Sequence, residues 1–311
     1  MPNETNSLLM RNNTKAFRVL PSQGNLIDTH NLNVRGKVGN NRPITKLSFS
    51  GGNAIDGSLS DFDLLVADTV YTLTANGNPE FTLMTVVKTI TGDDEANITD
   101  KRAAAVIKSL EKMSMLKISI DVTEEFKCRR IIEGDKRCVL ESYFLPLETI
   151  IVVSNFGIEH IRYRLIKKPC LFEFAESLNQ FVRYPISLVN DSNTRNDLET
   201  LMIKHYIIWR IQLMKNRRNN IDSNKIVLER YDTKLHQNTG LLYELGFLQD
   251  GVFYEYADNG EQVPLANQRN KRAKINKCIR KVLDSFVDKG FINGYEVERI
   301  GKTIRSYIID C

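Results

Sequence analysis

Residues 60–122 read SDFDLLVADTVYTLTANGNPEFTLMTVVKTITGDDEANITDKRAAAVIKSLEKMSMLKISIDV. Three apolar stripes at helical spacing lie in this stretch, each opened by a residue that can cap a helix. Ser60 is placed as the first cap, with Asp61 and Asp63 in the turn where negative charge suits the helix dipole. Phe62, Leu65, Val66, Thr69, Val70 and Leu73 then share one face, and Gly77 stops the helix. A second helix opens at Thr82, turns Leu83, Val86, Val87 and Ile90 inward, and ends at Gly92. Thr99 caps a third, whose inner face carries Val106, Ile107, Leu110 and Met113. Next, Lys117–Val122 alternates as a strand, followed by a polar, basic turn and a second strand around Cys138–Leu145. The order helix, helix, turn, helix, hairpin is that of a winged helix-turn-helix. Its third helix would enter the major groove, and the 117–145 hairpin would be the wing.

The C-terminal part gives a similar order. From Asn196 a helix sets Leu198, Leu201, Met202, His205, Ile208, Trp209 and Leu213 on one face and ends in a polar run over 215–220. Lys225–Leu228 reads as a strand and Leu241–Leu245 as a short helix ended by Gly246. The last long helix is expected from about Pro264 to Lys289, with an apolar stripe of Ile275, Cys278, Ile279, Val282, Leu283, Phe286 and Val287. Tyr295–Arg299 and Thr303–Ile309 then pair around Gly301. Between the halves, Ile150–Val153, Ile161–Ile166 and Gln180–Val189 read as strands and Leu171–Leu178 as a short helix, a small β-rich connecting layer. The expected fold is α+β. Residues 1–42 form an Asn-rich mobile arm, 43–168 an N-terminal winged-helix domain and 169–311 a C-terminal one.

At 311 residues there is room for two domains, and 42% hydrophobic with 26% charged residues argues for a folded chain. No run of eighteen apolar residues is present, so no membrane span is expected. The N-terminus lacks the apolar core of a secretory signal, and the five cysteines show no C-x-x-C spacing. Free thiols and a bacterial cytoplasmic setting are expected, in preference to a cross-strand Cys128–Cys138 disulfide. The net charge of +5 says little by itself.

Placement of the charge says more. Between Val263 and Lys281 stand Arg269, Lys271, Arg272, Lys274, Lys277, Arg280 and Lys281, with no acid among them. A free helix N-terminus would favour acids, so cations there suggest an anionic partner, phosphate first. Asn267, Gln268 and Asn270 could read adenine, and Arg269 or Arg272 guanine. Arg299, Lys302 and Arg305 would occupy the following wing. In the first module the matching positions are Thr99, Lys101, Arg102 and Lys108, with Lys112 and Asp100 also polar. Arg129, Arg130, Lys136 and Arg137 would sit at the wing tip, which Gly134 turns. A solvated basic face is the plain alternative for each cluster. Lys215, Arg217 and Arg218 suit a helix C-terminus and are not assigned to binding.

Catalytic patterns are missing from the sequence. His30, His160, His205 and His236 are scattered, and His205 beside Trp209 reads as a core residue. Gly301-Lys302-Thr303 resembles the end of a phosphate-binding loop, but Glu296 stands where that loop needs glycine. Asp93, Asp94 and Glu95 read as a solvated turn. Neither an enzyme nor a metal or cofactor site is expected.

The stretch Asp61–Tyr71 (DFDLLVADTVY), the segment Leu145-Pro146-Leu147-Glu148 and the stretch Leu241–Gly246 resemble plasmid and mobile-element replication initiators with tandem winged-helix domains. The resemblance spans residues 45–311 and rests on short phrases. It implies base contacts mainly from the C-terminal module, through Arg269–Lys281, and dimerisation or phosphate contact by the N-terminal one. Its expected partners are double-stranded DNA, a second copy of the chain and host replication proteins. A transcriptional regulator built on the same modules and a non-catalytic protein-interaction adaptor are the competing readings.

Overall fold

The computed structural model describes residues 7–11, 30–35, 44–50, 59–153, 159–177, 181–191, 194–215, 224–233, 236–248, 254–256, 262–264 and 268–311. Most of the expected 1–42 arm lies outside these residues. The chain is α+β and divides into two compact units between Arg183 and Tyr184.

Unit 1 begins with β1 (Ser7–Arg11), β2 (His30–Arg35) and β3 (Ile44–Ser50). Helix α1 (Asp61–Ala75) is buried on all sides from Asp61 to Leu73, its polar residues Asp61, Asp63, Asp68, Thr69 and Thr72 included. Ser60 caps it reciprocally. Its hydroxyl accepts from the Asp63 N–H at 3.1 Å, and the Asp63 carboxylate accepts from the Ser60 N–H at 2.7 Å. The buried hydroxyls of Thr69 and Thr72 donate to the carbonyls of Leu65 and Asp68, which removes the cost of enclosing them.

Strand β4 (Glu80–Thr82) follows, then α2 (Leu83–Thr91), capped by Thr82 and closed by Gly92 at φ 66°. Helix α3 (Asp100–Met115) is capped by Thr99 and buries Val106, Leu110 and Met113. It is tied to α1 through Asp63, which accepts from Ser109 Oγ at 2.5 Å and Lys112 Nζ at 2.9 Å.

Beyond α3 come β5 (Lys117–Asp121), α4 (Thr123–Cys128), β6 (Val139–Tyr143), β7 (Leu147–Val153), β8 (Glu159–Leu165), α5 (Cys170–Ser177) and β9 (Phe181–Pro185). Two sheets organise them. One is ordered β2-β3-β5-β6 and the other β4-β8-β7, with β9 pairing with β1. The expectation about the wing changes here. The 117–145 segment does pair as strands, but a helix interrupts it and its sheet is shared with β2 and β3. The hairpin that returns to the strand between α1 and α2 is β7–β8. Phe81 lies opposite Tyr163, and the two rings stack at 6.0 Å. The expected strands Ile150–Val153 and Ile161–Ile166 therefore belong to unit 1, whereas the expected Gln180–Val189 strand ends at Pro185 and is divided by the boundary between the units. Helix α5 also belongs to unit 1, and its Phe172 meets the Tyr71 ring edge-on at 5.4 Å.

Unit 2 opens with a 3₁₀ turn at Ile186–Leu188 and helix α6 (Leu198–Lys215). The Asp197 carboxylate accepts from the Thr200 N–H at 2.9 Å and so caps the first turn. His205 is buried, as its place beside Trp209 suggests. The remaining elements are β10 (Lys225–Val227), β11 (Arg230–Asp232), β12 (Gln237–Thr239), α7 (Leu241–Glu244), β13 (Tyr254–Tyr256), β14 (Gln262–Pro264), α8 (Gln268–Asp288), β15 (Gly294–Ile300) and β16 (Thr303–Asp310). Pro264 closes β14 and does not open the last helix, which starts at Gln268. Gly240 admits no side chain. At φ 105° an added Cβ would lie 2.7 Å from the Leu228 carbonyl oxygen.

The sheet order is β10-β16-β15, all antiparallel. With other elements before and between them, each unit contains in order a helix, a strand, two helices and a hairpin. In each, the lone strand pairs with the second strand of the hairpin. All five cysteines are free thiols, including Cys128 at the end of α4 and Cys138.

Lys204 on α6 is buried at 1% exposure, donating to the Val189 carbonyl at 2.6 Å and to Asn196 Oδ1 at 3.3 Å. Burial pulls its ammonium down from 10.5 to about 8, against the opposing pull of Asp191. Above that value the folded chain has released a proton that the unfolded chain keeps up to about 10.5. Unit 2 should therefore gain stability as pH rises from about 8 to 10.5, and Lys204→Met should remove that part of the gain. Urea midpoints of both proteins across this range test it, and parallel curves would refute it.

Candidate nucleic-acid interface

Helix α8 packs Ile275, Ile279, Val282, Leu283 and Phe286 inward. The opposite side is left to Asn270, Lys274, Lys277 and Lys281, spaced four, three and four residues apart and all exposed. Lys274 reaches Glu199 at 3.3 Å with both side chains exposed, a pairing that phosphate can displace at little cost. Lys277 and Lys281 make no ion pair among the described residues. Lys271 is half-buried beside them.

Arg272 is engaged within the fold. It lies three residues before Ile275, on the inward stripe, and its Nη1 is 2.9 Å from Glu229 Oε1. Its guanidinium stitches α8 to the segment after β10. Asn267 lies outside the described residues, as do the side chains of Gln268 and Arg269.

The β15–β16 hairpin is fastened to α8 at two points. Tyr295 Oη donates to Asp284 at 2.7 Å, and Tyr307 Oη donates to Asn276 Oδ1 at 3.1 Å. Burial and the neighbouring Asp284 push the Tyr295 phenol well above its usual value, so it remains a donor. Tyr307 is nearer the turn than the pair Tyr295–Ile309, and Asn276 is nearer the start of α8 than Asp284. The hairpin therefore climbs towards the N-terminal end of α8, the end with the cations. Arg299, Lys302 and Arg305 are exposed on it and make no ion pair among the described residues.

Unit 1 presents a weaker version. On α3, Lys101 and Lys108 are exposed, with Ala104 between them and Glu111 following on the same side. Thr99 is engaged as a cap, and Arg102 donates to the Asn97 carbonyl at 3.1 Å. Lys112 is turned in to Asp63. Arg129 pairs with Glu125 at 2.7 Å and Arg137 with Asp121 at 3.2 Å. These two, with the exposed Arg130 and Lys136, lie between α4 and β6 and not on the β7–β8 hairpin. The cations of that hairpin are matched by acids: Arg162 pairs with Glu80 at 3.0 Å and Arg164 with Glu148 at 2.6 Å. Towards its tip it exposes Ile151, Val152, Val153 and Ile161 instead.

No protein-family model matches the chain, and no curated protein does. Among solved structures it is similar to a crystal structure of domains 2 and 3 of RctB. The identity is 12%, 91% of each chain is covered, and the TM-score is 0.44. A selenomethionine derivative of the same two domains is similar at 10% identity, 90% of each chain and a TM-score of 0.39. Neither likeness is strong enough to carry a functional argument.

Among the described residues, no group of three or more His, Cys, Asp or Glu is placed to hold a metal ion, and no helix is long and apolar enough to cross a membrane. The cationic helix face with its basic hairpin is the most distinctive chemical surface on unit 2. Sequence reasoning found its cations but not the tyrosine ties that hold helix and hairpin together. A tyrosine in a strand gives no sign of which helix it will reach.

Proposed function

We propose that this chain binds double-stranded DNA in a sequence-specific way through two winged helix-turn-helix units, with unit 2 making the principal contact. In this reading α8 and α3 are the recognition helices, and β15–β16 and β7–β8 are the wings. The carrying observation is the exposed Lys274, Lys277 and Lys281 face on α8, followed by a hairpin tethered to that helix whose cations make no ion pair among the described residues. Cations held rigidly along a helix and on a flanking wing match the phosphates that border a major groove. The biological role that fits best is that of a non-catalytic replication initiator of a plasmid or other mobile element. That choice follows the resemblance carried by Asp61–Tyr71, Leu145–Glu148 and Leu241–Gly246. A transcriptional regulator would need the same binding chemistry.

The test is binding to duplex DNA from beside its own gene and to a random duplex, across a salt series. A steep fall of log affinity with log salt, with a specific excess of ~10³ or more, is expected. Weak binding without preference would overturn the reading. Direct repeats in the bound site would favour the initiator, and an inverted repeat over a promoter the regulator. The exposed Ile151, Val152, Val153 and Ile161 of β7 and β8 favour one further reading, a protein-interaction adaptor. A partner held independently of salt, with no affinity for DNA, would favour it.

A further inference from the structure

The tip of the β15–β16 hairpin combines two chemistries. Ile300 is 64% exposed, although it stands on a strand whose partner buries Ile304, Tyr307 and Ile309. It pairs with Thr303 across a two-residue turn whose first position, Gly301, sits at φ 60°. One step back the register shifts between Glu298 and Arg299, a bulge that re-aims the end of the strand. The base of the hairpin is locked by the tyrosine ties to α8 and by Glu298, which accepts from Lys225 at 2.7 Å and from Ser306. A rigid stem therefore presents a single bulky apolar side chain at its apex, with Arg299 before it and Lys302 two residues after it.

We propose that Ile300 is a wedge that enters the DNA minor groove beside the site read by α8 and kinks the duplex there, with Arg299 and Lys302 gripping the phosphates on either side. The inference rests on the DNA-binding reading above. Phosphate grip alone needs only cations, and exposing isoleucine at the tip would then gain nothing. Apolar side chains inserted at a base step unstack it, and the bent duplex can then wrap more of the protein. The step entered should be pyrimidine–purine, because those steps unstack most readily. An anionic lipid surface would also attract cations around an apolar side chain. However, one isoleucine on a stem anchored to a cationic helix offers little apolar area for a membrane interface.

The experiment uses the full chain and the best duplex that it selects from a random pool, labelled at both ends for energy transfer. Wild type should shorten the end-to-end distance on binding. Ile300→Ser should abolish the shortening and the preference for a pyrimidine–purine step, keep the salt slope, and lose less than about tenfold in affinity, since the cations dominate it. Ile300→Phe should restore the bend. Arg299→Ala should lower the salt slope by about 0.9 and keep the bend. A full bend in Ile300→Ser would overturn the wedge while leaving DNA binding intact. Ile300→Ser with an unchanged bend but weakened binding to phosphatidylserine vesicles would reassign the tip to lipid. Failure of wild type to select any duplex would overturn the DNA reading and this inference with it.

Discussion

Replacing Lys274, Lys277 and Lys281 together by alanine should flatten the dependence of log affinity on log salt by about 2.7, at about 0.9 for each lost phosphate contact. Affinity for all duplexes should fall on the order of 100-fold at physiological salt. The loss should be uniform across sequences, because phosphate contacts orient the protein without reading bases. Stability should stay within about 0.5 kcal/mol, since all three side chains project from the exposed side of α8. Arg272→Ala is the contrasting variant. It removes the bond to Glu229 and should lower the urea midpoint of unit 2 without a matching change in salt slope. Anisotropy titrations across a salt series decide the matter, and an unchanged slope in the triple variant would remove α8 from the interface.

The second large effect lies in unit 1. Asp63→Ala removes one half of the capping box on α1 and the common acceptor of Ser109 and Lys112. Lys112 has a side chain 14% exposed and Asp63 one 4% exposed, so the ammonium is left enclosed without its counter-charge. Breaking such a pair from one side costs about 3–5 kcal/mol. The expected result is a drop of that size in the stability of unit 1, read from urea unfolding of the whole chain, with the unit 2 transition in place. Asp63→Asn retains an acceptor for Ser60 and should cost less. A loss below about 1 kcal/mol would show that the α1–α3 tie contributes little to orienting α3.

Local signals were legible in the sequence and long-range ones were not. Ser60, Thr82 and Thr99 announce their helices because a cap acts within three residues of its own position. Gly92 at φ 66° and Gly290 at φ 64° stop helices for an equally local reason. The pairing of β4 with β8 was not legible because Ile118, Ile120 and Val122 alternate cleanly and draw attention to the 117–145 strands, whereas β4 has only three residues and no pattern of its own. Only its pairing with Arg162–Arg164 reveals what it does. The ion pairs of Arg272 and Lys112 were hidden similarly. Each looks like one more cation until Glu229 and Asp63 arrive from elsewhere in the fold. Arg272 did carry a clue, because it extends the apolar stripe of Ile275 and Ile279 by one turn.

The pairing of β4 with β8 also sets a sequence of events in time. Glu80 meets Arg162 across 82 positions of chain. On a ribosome, α1, α2 and α3 are complete long before that partner strand emerges. Until then Phe81 has no Tyr163 to stack on, and the short strand between α1 and α2 has an open edge. Long-range closure of this kind makes folding slow, because the loop entropy is lost before the contact is gained. The interval between Thr82 and Arg162 is thus the period in which a nascent chain most needs shielding.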